Sequence, residues 1–261
     1  MNNWMKRTIL SACLAICCMT AVLAEDFRIA KDGHTATIVV DSLDWTGVIR
    51  AARDLGDDVR KVTGTAAAVS VVEGGKRKVE GDMTGHVIVG TIGKSQLITQ
   101  LIKQRKIDVS KVRGQWESYL IDVVDGNLVI AGSDKRGTIY GIYEISQRIG
   151  VSPWYWWADV PVRHSDEVCY GGGRFVMPPP QVKYRGIFIN DEDWGLKPWA
   201  ATNYEKELGD IGPKTYARVC ELLLRLKANM LAPAMHACTG AFYSHPESKA
   251  VCDSFGIVIT T

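Results

Sequence analysis

The sequence has 261 residues, of which 46% are hydrophobic and 23% charged, a composition typical of folded globular proteins. Its 31 Lys and Arg residues and 29 Asp and Glu residues give a formal net charge of +2 at pH 7. A chain so close to neutrality lacks the basic surface that binds nucleic acid or an anionic membrane, so we expect neither as a partner.

Residues 1–24 are predicted to be a signal peptide. Lys6 and Arg7 precede an uncharged apolar run from Ile9 to Leu23, and Ala24 supplies a small residue at the cleavage position. The run is shorter than the about 20 residues that a membrane-spanning helix needs, which argues against an anchor. We therefore expect an exported protein, periplasmic or extracellular, with no membrane contact beyond this peptide.

Cleavage of the signal peptide would leave four of the seven cysteines: Cys169, Cys220, Cys238 and Cys252. A chain of this length buries a sizeable core without disulfides, so four buried thiols are expected, with one disulfide as the alternative. His236 and His245 lie near three of these cysteines in sequence, and all are zinc-type ligands. No CxxC or HxxxH spacing organises them, so no metal and no cofactor is expected.

Residues 25–167 are predicted to form an α/β domain with a mixed sheet. β-branched and apolar runs predict strands at residues 36–40, 86–89, 119–124 and 128–131. Apolar residues at helical spacing predict helices at residues 45–62, 95–104 and 138–149. The third and fourth strands flank the turn residues Asp125, Gly126 and Asn127, so they are predicted to form a hairpin.

Residues 168–181 are predicted to be a linker between two domains. They contain three consecutive glycines, Gly171–Gly173, followed by three consecutive prolines, Pro178–Pro180. A flexible piece followed by a stiff one is typical of a domain boundary.

Residues 182–261 predict the beginning of a parallel α/β fold. Strands are predicted at residues 182–190, 229–236 and 256–261, with helices at residues 213–228 and 247–255 between them. A last strand without a covering helix leaves a sheet edge unpaired, so we expect the natural protein to continue past Thr261.

The end of the first strand in this second half carries the most informative side chains. An amide, three carboxylates and an indole follow one another: Asn190, Asp191, Glu192, Asp193 and Trp194. Parallel α/β folds build active sites at the C-terminal ends of their strands, and adjacent carboxylates repel one another, so stability alone does not favour them. Indoles beside carboxylates suit a sugar ring, which stacks on the indole and donates hydroxyl hydrogens to the acids. The alternative is a solvated acidic turn.

Two further groups could contribute to such a site. His236 lies at the end of the second predicted strand, on the same side as Asn190, where a substrate contact and an ordinary structural role are both open. The aromatic segment from Trp154 to Trp157 precedes the linker. Most of it is expected to pack between the two domains, while one indole is available to line a pocket.

Several segments resemble glycoside hydrolase family 115, the xylan α-1,2-glucuronidases. These are residues 184–200 (YRGIFINDEDWGLKPWA), 228–236 (ANMLAPAMH) and 255–261 (FGIVITT). Residues 131–141 (AGSDKRGTIYG) and 154–161 resemble the α/β domain that precedes the barrel in that family and in hexosaminidase-like enzymes. The run FINDEDWG is the most specific part.

This resemblance implies an N-terminal α/β domain followed by a (β/α)8 TIM barrel, of which residues 182–261 would form only the first strands and helices. It implies removal of glucuronic acid or its 4-O-methyl ether from glucuronoxylan by an inverting route, without metal or organic cofactor. By the same resemblance Asp191 is a catalytic candidate, and the substrate-binding candidates are Asn190, Glu192, Trp194 and His236. A homodimer is open for the full-length protein.

With most of the barrel missing, the chain is expected to be inactive alone. A carbohydrate-binding module without catalysis and an inactive truncated remnant are the alternatives.

Overall fold

The computed structural model describes residues 26–74, 84–190 and 194–260. The predicted signal peptide lies outside these ranges, and so do Asp191, Glu192 and Asp193. In the first part, groups of two or three strands are separated by single helices. Its strands are β1 Phe27–Lys31, β2 His34–Thr35, β3 Thr37–Asp41, β4 Val69–Val72, β5 His86–Thr91, β6 Tyr119–Val124, β7 Asn127–Gly132, β8 Glu167–Tyr170 and β9 Phe175–Met177. Its helices are α1 Thr46–Thr63, α2 Gln96–Lys103 and α3 Lys135–Arg148.

A six-stranded mixed sheet organises this part, with the strand order β4-β3-β5-β7-β6-β9. The first four strands in that order run parallel, whereas β6 is antiparallel to both β7 and β9. Val124 pairs with Asn127, so Asp125 and Gly126 alone form the hairpin turn, and both have the positive φ that a type I′ turn requires. The predicted mixed sheet and hairpin are confirmed.

Helices cover both faces of this sheet. On one face α1 and α3 bury Val48, Leu55 and Ile139 in the main core, against strand residues such as Val40. On the other face α2 and the segment behind it bury a smaller apolar cluster that includes Leu97. The sheet is therefore the middle layer of three, as expected for an α/β domain whose parallel strands are apolar on both sides.

Helix α3 is buried on nearly all sides. One face approaches the sheet so closely that a Cβ added at Gly141 would lie 2.7 Å from Cγ2 of Ile130. On another face the Tyr140 hydroxyl donates to the backbone carbonyl of Ala228, 2.9 Å away, in the second half of the chain. The helix thus contacts both halves, and the missing side chain at position 141 is what permits its depth.

The segment predicted as a linker, residues 168–181, is not a free connection over its whole length. Strand β8 pairs with β1 in a small antiparallel sheet of order β2-β1-β8, and β9 extends the edge of the six-stranded sheet beside β6. The glycine run is a turn between these two strands. The boundaries of the two flanking domains, at residues 167 and 182, stay predictions.

The second part of the chain contains a three-stranded parallel sheet. Its strands are β10 Gly186–Phe188, β11 Met230–Ala232 and β12 Val258–Ile259, in that order across the sheet. Its helices are α4 Leu196–Trp199, which continues into a π-helical turn at Ala200–Tyr204, then α5 Pro213–Arg225 and α6 Pro246–Phe255, with a 3-10 turn at Phe242–Ser244. The predicted alternation of strand and helix is confirmed, although each strand is shorter than predicted.

The cysteines outside the signal peptide are free thiols. Cys220 on α5 and Cys252 on α6 are buried with their Sγ atoms 3.5 Å apart, and the hydrogen bond between them together with burial holds the pKa of Cys220 well above its usual range. Cys238 is half-buried and Cys169 is exposed. The expectation of four buried thiols is wrong for these two, because both lie on segments with one side open to solvent.

A buried carboxylate joins the two halves. Glu117 has a fully buried side chain, and its Oε1 accepts from Nε of Arg136 at 2.5 Å and from Nδ2 of Asn229 at 2.7 Å. Its Oε2 accepts from Nη2 of Arg185 at 2.5 Å. Arg185 immediately precedes β10 and Asn229 precedes β11, while Arg136 also donates to the carbonyl of Gly256 ahead of β12. The network therefore fixes the N-terminal ends of all three parallel strands.

A second buried ion pair supports the same junction at a distance from the first. Asp58 on α1 and Arg225 on α5 are both buried, and the guanidinium binds both carboxylate oxygens, at 2.7 and 3.2 Å. Such two-point pairing fixes orientation as well as distance. The relative placement of α1 and α5 is therefore specified by charge as well as by apolar contact.

We expect Glu117→Gln to destabilise the fold by about 3 kcal/mol, because it leaves two guanidinium groups without their counter-charge. Their partial exposure places this estimate at the lower end for a broken buried pair. Urea unfolding would measure the loss. The matched control is Glu167→Gln, which removes an exposed carboxylate beside Arg28 and Lys31 and should leave the midpoint nearly unchanged. Equal midpoints for the two variants would contradict the assigned role of Glu117.

The thiols should differ sharply in reactivity. In native buffer between pH 7 and 9, Cys169 should react with an aromatic disulfide reagent, while Cys220 and Cys252 should react only after denaturation, because they are buried and Cys220 stays protonated. Peptide mapping after timed quenching would identify each modified residue. A Cys169→Ser variant provides the control, and native-state labelling of Cys220 at a rate similar to Cys169 would contradict the assignment.

Candidate functional site

The C-terminal ends of β10, β11 and β12 lie at one edge of the parallel sheet. Strand pairing reaches slightly past the strands, since the Ile189 amide donates to the Ala232 carbonyl and the Thr260 amide to the Leu231 carbonyl, both at 3.0 Å. Asn190 is the next residue after this pairing and is exposed. The first predicted substrate contact thus stands at the open edge of the sheet.

The other predicted site residues are placed as follows. His236 lies beyond the end of β11 and is exposed, so it shares this edge with Asn190. Trp194 is 87% exposed in the turn before α4. Asp191 and Glu192 lie outside the described residues, and their catalytic and binding roles stay predictions. Asn190 and His236 therefore follow neighbouring strand ends, while Trp194 is presented to solvent nearby in sequence.

The segment between Trp194 and α5 is held in place by a buried carboxylate, that of Glu205, which is not among the predicted site residues. Glu205 is buried, and its Oε2 accepts from the amides of Gly212 and Thr215 at 3.0 and 2.8 Å. Its Oε1 accepts from the Lys214 amide at 2.9 Å. A helix leaves its first amides without internal partners, so Glu205 serves as the cap of α5 from seven or more residues upstream. The loop after β10 is thereby closed at a fixed point.

A second contact joins the loop after β11 to the same region. Oδ2 of Asp210 accepts from the Gly240 amide at 2.8 Å and lies 3.3 Å from Nε2 of His245. His245 is one of the zinc-type ligands noted in the sequence. In the described ranges, no group of three or more His, Cys, Asp or Glu side chains is arranged to hold a metal. The loops that follow β10 and β11 are therefore tied to each other.

An aromatic cavity of about 540 Å³ lies beside residues 195–199, in the segment that follows β10. It is lined by Tyr155, Trp156, Trp157, Asp159, Gly195, Leu196 and Trp199. The Trp199 ring lies 5.7 Å from that of Trp156 and 5.9 Å from that of Trp157, measured between centroids. The aromatic segment before β8 thus packs against the loop after β10, as predicted, but it leaves a cavity with several indoles in its wall where one was expected.

In the part of the chain that the structure describes, we find no helix with the length and apolar character needed to span a bilayer.

Comparison with known proteins gives a consistent picture. The sequence profile of glycosyl hydrolase family 115 matches residues 177–261. A solved structure of a family 115 4-O-methyl-α-glucuronidase with specificity for decorated arabinogalactans is 39% identical, with a TM-score of 0.76. The similarity covers 89% of this chain and 29% of that protein, so the chain spans less than a third of the relative's length. No curated protein sequence matched at a significant level.

More distant structures share the fold alone. A chitobiase from Flavobacterium johnsoniae is 12% identical over 91% of this chain and 32% of its own length, with a TM-score of 0.53. A β-hexosaminidase from Streptomyces plicatus is 15% identical over 91% of this chain and 42% of its own length, with a TM-score of 0.54. Both similarities extend over about nine-tenths of this chain and concern its fold.

Replacing Glu205 by Gln should destabilise the chain by about 1–3 kcal/mol, because an amide nitrogen cannot accept from the backbone amides that one carboxylate oxygen now binds. Thermal unfolding followed by circular dichroism would report the change. Glu207→Gln is the matched control, since that side chain is exposed and binds Lys214 at the surface. Unfolding curves that coincide for the two variants would rule out a capping role for Glu205.

Proposed function

Because this chain belongs to glycosyl hydrolase family 115, we propose that its protein is a glycoside hydrolase that removes glucuronic acid, or its 4-O-methyl ether, from polysaccharide side chains. The observation that carries the proposal is the 39% identity over 89% of the chain with a 4-O-methyl-α-glucuronidase. The strand edge that presents Asn190 and His236, with the exposed indole of Trp194, supports it, since amide, imidazole and indole groups suit a uronic acid.

The three parallel strands are proposed to be the first of a (β/α)8 barrel. They are connected through α5 and α6, and neighbouring strands in sequence are neighbours in the sheet, which is the progression a barrel needs. The remaining strands would pair with the free edges of β10 and β12. This arrangement would put Asn190 and His236 on the rim where barrel enzymes carry their active sites.

Asp191 is proposed as one of the two carboxyl groups of an inverting mechanism. Inversion needs an acid that protonates the leaving oxygen and a base that activates water on the opposite face of the sugar, with the two carboxyls roughly 6.5–9.5 Å apart. Asp191, Glu192 and Asp193 are consecutive in sequence, so we propose that this segment supplies one of the two carboxyl groups and not both. The second carboxyl would come from another strand end, and Glu192 would bind substrate hydroxyls with Asn190.

Two polysaccharides are candidate substrates. Glucuronoxylan follows from the family resemblance, whereas the 39% identical relative is described as specific for decorated arabinogalactans, which favours that polymer as a second candidate. Both would present a uronic acid to the same strand edge. The protein is proposed to reach these polymers by export through the signal peptide at residues 1–24, and a homodimer stays open for the full-length protein.

The test uses the protein as its source produces it, with the intact mass measured first. Incubated with glucuronoxylan and with glucuronidated arabinogalactan, it should release uronic acid of inverted anomeric configuration, detected by NMR. Asp191→Asn should lower the rate by about a thousandfold, the range for loss of an acid or base, whereas Asp193→Asn should retain most of it.

Release of no uronic acid from either polymer would overturn the proposal and leave the carbohydrate-binding alternative. Equal losses in the two variants would instead remove the specific role of Asp191.

A further inference from the structure

The aromatic cavity beside the segment after β10 is a cleft between the two halves that opens to solvent. Here about 540 Å³ stays open between residues 155–159 and 195–199, a volume within the range of roughly 300–1,000 Å³ typical of small-molecule sites. The indoles of Trp156, Trp157 and Trp199 are only half-buried. In the described residues, part of each indole face is therefore available to a ligand.

Three of the rings that line the cavity contact α5. Nε1 of Trp157 donates to the backbone carbonyl of Arg218 at 3.1 Å, and the Tyr155 hydroxyl donates to Glu221 at 2.9 Å. The Arg218 guanidinium lies 5.0 Å from the centre of the Trp156 ring. A wall fixed before the ligand arrives loses little conformational entropy on binding. These contacts favour preorganisation of the side of the cavity that residues 155–157 form.

The chemistry of the wall indicates the class of ligand. Flat indole faces match the C–H faces of pyranose rings, and a carboxylate accepts hydrogen bonds from sugar hydroxyls. Asp159 is an exposed carboxylate and is the charged side chain among the described lining residues. It would repel the carboxylate of a uronic acid and would not repel an uncharged sugar.

We propose that this cavity binds uncharged pyranose units of a polysaccharide backbone, next to residues 195–199 that follow β10. The inference rests on the proposed function, because it supplies a second contact with the same polymer. The strand edge would take the charged side-chain sugar, while the cavity takes neutral backbone sugars. Asp159 is a specificity determinant in this arrangement, since its charge directs uronic acids away from the aromatic wall.

The test follows the indole N–H signals of the ¹⁵N-labelled 261-residue chain, which has eight tryptophans. Titration with xylohexaose and with β-galactohexaose should shift the signals of Trp156, Trp157 and Trp199 saturably with at least one of the two sugars. The signals of Trp45 and Trp116, which do not line the cavity, should stay unchanged. Glucuronic acid should bind roughly tenfold more weakly than methyl xyloside, a single neutral ring of similar size.

Two variants and one control make the test specific. Trp199→Leu should weaken oligosaccharide binding by roughly tenfold, whereas Trp45→Leu should not change it. Asp159→Asn keeps the cavity and removes its charge, so it should abolish the discrimination against glucuronic acid; because Asp159 is exposed, this variant reports even where Trp199→Leu fails to fold. Circular dichroism verifies the fold of each.

Absence of a saturable shift, or equal shifts of Trp45 and Trp116, would overturn the inference. So would preference for glucuronic acid over the neutral sugar. These outcomes are independent of hydrolysis: a natural protein that releases uronic acid while the cavity binds nothing retains the proposed function and loses only this inference. If the cavity binds neutral sugars and the natural protein releases no uronic acid, cavity binding is retained and the proposed hydrolase function is lost.

Discussion

The architecture depends on one buried carboxylate. A charge without solvent is tolerated only when its partners replace the lost hydration, and Glu117 has three side-chain donors to do so. Its backbone adopts a positive φ of 52°, unusual for a residue with a side chain. Asp134 fixes this conformation, since its carboxylate accepts from the Glu117 amide at 2.8 Å and also from the Gly137 amide at the start of α3. One aspartate thus caps a helix and positions the residue that joins the two halves.

This network lies at the end of the parallel sheet away from the proposed site. Arg185 and Asn229 bind Glu117 at the N-terminal ends of their strands, and at the opposite ends the two halves meet through the aromatic contacts of Trp199 with Trp156 and Trp157. The loops at those opposite ends are instead tied locally, through Glu205 and through Asp210. Side chains such as Asn190 and Trp194 can therefore vary in chemistry without disturbing the Glu117 network.

Much of this fold could be predicted because most of its helices and strands are indicated by residues that are close together in the sequence. The α1 pattern, the Asp125-Gly126 turn and the position of Pro213 at the start of α5 each reflect preferences that a few neighbouring residues express. Strands β1 and β8 were missed because both are short and pair mainly with each other across a long stretch of sequence, while the nearby partner of β1, strand β2, has two residues. The glycines and prolines near β8 and β9 are typical of turns, so the sequence in this region predicts a linker and gives no sign that β8 pairs with β1 or β9 with β6.

The position of the candidate site could be predicted from the sequence, but the contacts around it could not. Composition at the end of β10 identified the loop, since an apolar strand followed by Asn190 and acids is a local signal. The roles of Glu205 and Asp159 could not be predicted, because a glutamate on a loop and an aspartate before a proline-containing segment look like ordinary surface residues. Only the fold brings Glu205 to the first turn of α5 and Asp159 to the aromatic wall.

The glycines of α3 have a consequence for the order of folding. Gly137 and Gly141 each cost a helix roughly 1 kcal/mol relative to alanine, so this segment has little tendency to form in an otherwise unfolded chain. Its free energy comes from the layers that enclose it, and one of those layers pairs strands that are distant along the polypeptide. Such non-local pairing is slow to nucleate. The most enclosed helix of the molecule is therefore expected to consolidate late, after the sheet that receives it.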